Sequence, residues 1–161
     1  MKKFISLPYI FVMVLSLMLV GCQGGETIKI GTLLDKTGDL GSYGPPMEVG
    51  ADLAIKLLQD AGMDIVKVPG DSGTANQKSI AEATRLIDIE GVDAIVGSLS
   101  SGVTMATAIA VTIPKNIPIM SPASTSPAIT VMEDNDTVFR STVSDAAQGV
   151  VLAQFAWDQG I

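Results

Sequence analysis

Two loops rich in small hydroxyl side chains hold the residues best suited to chemistry: Ser98-Leu99-Ser100-Ser101-Gly102 and Ser121-Pro122-Ala123-Ser124-Thr125-Ser126. Small residues let backbone N–H groups come close to a small anion, and serine and threonine hydroxyls add directed donors and acceptors. A helix starting at Ser101-Gly102 would turn its unpaired N–H groups and its dipole toward a carboxylate. Ser100 or Ser101 can also serve as an ordinary helix cap, and capping is compatible with ligand contact. The chemistry these residues offer is recognition of a small polar molecule.

Composition removes much of the competition. The 161 residues include no His and a single Cys, Cys22. A Ser-His-Asp triad, a Cys-His pair, a His/Cys zinc site and an internal disulfide are therefore all excluded. A carboxylate-only metal site, or an enzyme built on a pair among Asp35, Asp39 and Asp71, stays open at this level. The formal charge is −7, and the only charges before Cys22 are the basic Lys2 and Lys3, so the remainder is more acidic still. An acidic surface repels phosphate backbones, which argues against nucleic acid as a partner.

The elements that must position these loops alternate strictly. Strands are expected at 27–34, 64–68, 94–97, 117–120 and 137–140, and helices from Pro45 or Pro46 to 61, at 76–89, 102–113 and 146–158. Proline suits the first turn of the first helix, Gly62 its end, and Pro114 should end the third. The inward stripes are Met47, Ala51, Ala54, Leu58 and Ala61 on the first helix, Ile80, Ala83 and Ile87 on the second, and Val150, Ala153 and Trp157 on the last. Pro69-Gly70 should close the second strand. Strand–helix alternation with short connections predicts an α/β fold: a parallel sheet, right-handed crossovers and helices on both faces.

In such a sheet the ligand crevice lies outside the carboxyl ends of the strands, where the strand order reverses. With the order 2-1-3-4-5 that point falls between strands one and three, so loops bearing Tyr43, Ser100-Ser101-Gly102 and Ala123-Ser124-Thr125 converge. Gly38-Asp39-Leu40-Gly41-Ser42-Tyr43-Gly44 sits where a dinucleotide fingerprint would, but its spacing is GxxGxxG and no acidic residue closes the second strand. No cofactor is expected there. Tyr43 would project from the crevice mouth, where an aromatic covers a ligand. Asp145 by itself reads most simply as the N-cap of the last helix, and Asn135-Asp136-Thr137 as a turn.

Residues 1–21 have the form of a cleaved leader: Lys2 and Lys3, a nearly unbroken apolar run at 9–20, then Leu19-Val20-Gly21-Cys22. Those last four residues resemble the bacterial lipobox, which implies a diacylglycerol on the Cys22 thiol and an extracytoplasmic protein held at a membrane. Residues 22–26 would be a tether.

Four segments are similar to successive landmarks of one family: TIKIGTLLDKTGDLGSYGPPMEVGADLAIKLL, GSLSSGVT, IPIMSPASTSPAIT and VFRSTVSDAAQG. The family is that of the periplasmic leucine/isoleucine/valine-binding proteins, the type I solute-binding components of branched-chain amino acid ABC importers. The resemblance implies two α/β lobes closing on a ligand and presenting the closed form to a permease, without catalysis. By position, Ser101 matches the serine bonded to the ligand carboxylate. Ala123 and Thr125 match the pair that binds carboxylate and α-ammonium, Tyr43 a tyrosine covering the ligand side chain, and Asp145 an aspartate near the ammonium.

The sequence also departs from the family pattern. Some relatives carry a disulfide between the loops after strands two and three, where Gly73 and Ser100 stand here. The family is about twice this length, so residues 27–144 are expected to form most of a first lobe and residues 145–161 the crossing and first helix of a second. The chain then reads as an N-terminal fragment, or as the product of a gene interrupted after Ile161, whose last helix lacks a packing partner. A ligand-sensing ectodomain on the same fold is the alternative to transport.

Overall fold

The computed structural model describes residues 26–161. The leader, the Cys22 lipidation site and all of the tether but Glu26 lie outside the described residues. In chain order the elements are β1 (Ile28–Leu34), α1 (Gly44–Asp60), β2 (Ile65–Asp71), α2 (Asn76–Asp88), β3 (Ala94–Gly97) and α3 (Ser101–Thr107). A π-helical turn (Ala108–Thr112) and α4 (Ile113–Lys115) continue α3. They are followed by β4 (Ile119–Ser121), a 3-10 turn (Pro127–Val131), β5 (Val138–Arg140) and α5 (Asp145–Asp158).

The five strands form one parallel sheet in the order β2-β1-β3-β4-β5, as the alternation predicts. Side chains of period two put Ile95, Ile119 and Val138 in register on one face, and all three are buried. Ala83 and Leu86 of α2, with Ala108 and Val111 of the π-turn, close over that row. Each large aliphatic side chain buried there contributes roughly 1.5–3 kcal/mol.

The other face carries the row Val96, Met120 and Phe139. Met120 is 43% exposed and Phe139 46%. Here α1 lies over β1 and β2, held to β2 by Lys67, whose ammonium bonds Glu48 Oε2 (2.6 Å) and pairs with Asp52. Burial alone would lower the Lys67 pKa, but the bonds and charges of Asp52 and Glu48 outweigh it and raise the pKa above its ordinary value. The expected inward stripe of α1 is only partly packed. Met47, Ala51, Ala54 and Leu58 line a cavity of about 520 Å³ between helix and sheet, and only Gly44 of α1 is buried.

Three boundaries differ from the sequence expectation by two residues or more. Strand β2 runs through Pro69 and Gly70 to Asp71, because it is the sheet's edge and an edge strand tolerates a residue without an N–H. The third helix does not stop at Pro114. In the π-turn the Ile113 N–H reaches back five residues to Ala108, which widens the backbone where the Pro114 ring would crowd the preceding turn. Asn116, in the left-handed region at φ 54°, ends it instead. Strand β4 starts two residues later than expected, after Pro118, so Ser121 is its last member.

Helix α5 has no buried residue; Val150 is 71% and Trp157 80% exposed. Among the described residues no helix is long and apolar enough to cross a membrane.

Candidate ligand-binding site

The hydroxyl loops emerge at the carboxyl ends of β3 and β4, and a buried network locks them together. Ser98, Thr104, Ser121 and Ser124 are each fully buried. The Ser121 hydroxyl donates to the Ser98 carbonyl (2.5 Å) and accepts from the Ser124 N–H (3.0 Å). Ser124 Oγ donates to the Leu99 carbonyl (3.2 Å) and lies 2.9 Å from Thr104 Oγ1. A buried polar group left without a partner costs about 1–3 kcal/mol, so these bonds, with the one between Ser98 Oγ and Ser79 Oγ (3.0 Å), are what allow four hydroxyls to lie beneath the loops. Sequence reading placed Ser121 and Ser124 in the loops but missed Thr104, whose signal is a hydroxyl one turn into a helix that starts at a serine.

Above this layer lie the expected ligand residues. Ser100, Ser101, Ala123 and Thr125 are half-buried, whereas Asp145 and Tyr43 are exposed. Ser101 Oγ accepts the Ser126 N–H (3.2 Å), which leaves its own hydrogen free to donate. The Thr125 hydroxyl donates to Asp145 Oδ2 (2.9 Å), and the Asp145 N–H returns a bond to the Thr125 carbonyl (2.9 Å). With its hydrogen committed to Asp145, Thr125 Oγ1 presents lone pairs. Ser101, Thr125 and Asp145 are thus joined within a few bonds, one a donor site and the others acceptors.

Ser100 stands at the N-cap position of α3, but its side chain makes no capping bond. The N-cap of α5 is Ser144, whose hydroxyl accepts the Ala146 N–H (3.3 Å); Asp145 is the first residue inside the helix, not its cap. With Ser144 as the cap, the Asp145 carboxylate is left to accept from the Thr125 hydroxyl. Tyr43 sits at the start of α1 and is 57% exposed, joined to none of the other five by a hydrogen bond among the described residues. It is kept near the loop base by Gly44, where a Cβ would fall 1.9 Å from the Asp35 carbonyl oxygen. Arg140, not anticipated from sequence, holds the far side of the β4 loop by donating to the Ser126 carbonyl (2.7 Å) and pairing with Thr130 Oγ1. Asn135 and Asp136 form the expected turn, their φ angles at +54° and +56°.

Residues 27–161 match the family described as periplasmic binding protein. The chain belongs to that family. A Leu/Ile/Val-binding protein homolog 1 of Brucella abortus is 30% identical over 142 residues, covering 86% of this chain and 38% of that relative. The branched-chain amino acid transporter substrate binding protein LivJ from Streptococcus pneumoniae, solved with isoleucine, is 30% identical with a TM-score of 0.68, over 74% of this chain and 35% of that one. An ABC transporter substrate-binding protein from Desulfitobacterium hafniense, solved with Leu, is 27% identical with a TM-score of 0.71, over 84% and 40%. The chain therefore spans about two fifths or less of the length of these relatives.

In this periplasmic binding protein two of the three carboxylates considered for catalysis, Asp35 and Asp71, are engaged in holding loops, and Asp39 is exposed. Asp35 is fully buried and accepts bonds on both oxygens. Burial pushes the Asp71 carboxyl up, but the Lys78 ammonium, the Thr37 hydroxyl and the Lys36 and Gly73 amides bonded to it prevail and hold it well below the usual carboxylate range. Among the described residues no group of three or more His, Cys, Asp or Glu could hold a metal ion. The cavity under α1 is lined almost wholly by apolar residues such as Ile30, Val96 and Leu58, which does not suit a zwitterion.

Proposed function

We propose that this periplasmic binding protein captures an α-amino acid, a branched-chain one first among them, and delivers it to the permease of an ABC importer. The single observation that carries the reading is the opposite polarity of two neighbouring hydroxyls. Ser101 has a hydrogen free for the ligand carboxylate, beside the N–H groups and dipole at the start of α3. Thr125 and Asp145 offer oxygen lone pairs and negative charge to the ammonium. The Ala123 carbonyl adds an acceptor, the Ser100 backbone a further contact, and Tyr43 a cover for the side chain.

Relatives solved with isoleucine and leucine support this ligand class, since both molecules carry the two charges the loop site separates. Residues 27–144 serve as the first lobe and residues 145–161 lead into the second. The protein is extracytoplasmic and anchored by a lipid on Cys22, as the leader pattern suggests.

Calorimetric titration tests the reading. Leucine and isoleucine should bind, and 4-methylpentanoate, which lacks the ammonium, should bind at least about tenfold more weakly, the loss of one charge-assisted cluster. Equal affinities for leucine and 4-methylpentanoate, or no binding of either, would remove the proposal. Incorporation of radiolabelled palmitate in a bacterial host, abolished by Cys22→Ser, tests the anchor.

A further inference from the structure

We propose that Asp35 is a positioning residue that sets the geometry of the ligand loops from beneath; this rests on those loops being the ligand site. Its carboxylate is 0% exposed, yet the ion pairs found among the described residues do not include it. Neutral donors hold it instead. Oδ1 accepts the Ser72 hydroxyl (2.5 Å) and the Thr74 N–H (2.6 Å), both from the loop after β2. Oδ2 accepts the Leu99 N–H (3.0 Å), from the loop after β3. One side chain at the end of β1 thereby joins two loops that are distant in sequence.

The Leu99 bond is the one that reaches the ligand. The N–H of Leu99 is held by Asp35, and its carbonyl receives the Ser124 hydroxyl (3.2 Å). Leu99 immediately precedes Ser100 and Ser101, and Ser124 lies between Ala123 and Thr125. The carboxylate-binding and ammonium-binding halves are thus coupled through one clamped residue. Asp35 also reaches the third loop through its main chain, because its carbonyl occupies the space a side chain at Gly44, next to Tyr43, would need.

The position calls for a carboxylate. Three donors converge on two oxygens, and an asparagine of the same shape would turn an N–H₂ toward one set of them. Burying a charge is costly unless its bonds are complete. Here both oxygens accept, Oδ1 two bonds and Oδ2 one, which makes the array sensitive to the loss of any acceptor.

Asp35→Asn and Ser72→Ala separate positioning from stability, since Ser72→Ala removes one donor but leaves the link to Leu99. Leucine is the probe in calorimetry, and amide hydrogen exchange is followed at Leu99 against Ile95 and Ile119 in the strands. Asp35→Asn should weaken leucine binding at least tenfold and speed exchange at Leu99 at least tenfold beyond any change at Ile95 and Ile119. Ser72→Ala should lower the melting temperature yet leave leucine affinity within about twofold.

Unchanged affinity and unchanged Leu99 exchange in Asp35→Asn would overturn the proposal. So would parallel losses of affinity in both variants in proportion to their stability. If Asp35→Asn does not fold, exchange in the wild-type protein decides: Leu99 and Thr74 should exchange at least a hundredfold more slowly than the exposed Asp39, and rates equal to Asp39 refute the clamp. Failure of wild type to bind leucine would count against the proposed function alone, because the exchange measurement needs no ligand.

Discussion

Replacing Ser101 by alanine removes two things: the hydroxyl hydrogen proposed for a ligand carboxylate, and the acceptor of the Ser126 N–H at 3.2 Å. A hydrogen bond to a charged group contributes about 1.5–3 kcal/mol, and about 1.4 kcal/mol is a factor of ten in affinity, so leucine should bind roughly ten- to 150-fold more weakly. The second loss is smaller, because Ser126 is only half-buried and water can replace the acceptor. It should appear as a slightly lower melting temperature, not as lost affinity. Ser101→Thr keeps the hydroxyl and should retain most of the binding. Leucinamide, whose neutral carbonyl can accept only an uncharged bond, should lose less affinity than leucine on Ser101→Ala. Calorimetry on the three proteins with the two ligands decides it. Equal leucine affinities for wild type and Ser101→Ala would refute the reasoning, and so would a leucinamide penalty as large as that for leucine.

Asp71 should shape the acid limb of stability. Its folded pKa is depressed, so its contribution is full above the ordinary aspartate range near pH 4 and is lost as pH falls toward the folded value. Urea midpoints measured against pH should therefore fall less steeply below about pH 4 in Asp71→Asn than in wild type; parallel curves would count against the bonds to Lys78 and Thr37. Gly44→Ala forces a Cβ to within 1.9 Å of the Asp35 oxygen. The backbone must move, at a cost of about 1–3 kcal/mol or more, read from thermal melts followed by circular dichroism. Leu86→Ala, at a position with no exposure in the main core, should cost about 2–5 kcal/mol in urea denaturation. A loss below about 1 kcal/mol would mean the face under α2 is not the principal core.

The fold was largely legible because strand and helix periods differ. Residues 94–97 read as a strand and are β3, and the start of α3 at Ser101 follows from a serine–glycine step after an apolar run. Boundaries failed where tertiary context overrode a local rule. Pro69 looks like a terminator until the sheet order makes β2 an edge, and Pro114 looks like a stop until the π-turn makes room for its ring. Asp145 resembles a cap by type and place, but the chain turns helical one residue earlier, and Ser144 is the cap that holds the Ala146 N–H.

By itself, the sequence determined the chemistry on offer: hydroxyl loops at strand ends suited to hydrogen-bond recognition, with no histidine and one cysteine, so neither a Ser-His-Asp triad nor a His/Cys zinc site can be built. The tertiary structure decided the direction of each bond. Serine and threonine can both donate and accept, so their type does not say which end of a zwitterion they meet. Only packing assigns Ser101 as a donor, through Ser126, and Thr125 as an acceptor, through Asp145. The same holds for Asp35, which reads as a candidate catalyst in the linear chain. It becomes a clamp once the sheet brings Ser72, Thr74 and Leu99 around it, because a buried carboxylate must complete its bonds with whatever donors the fold supplies.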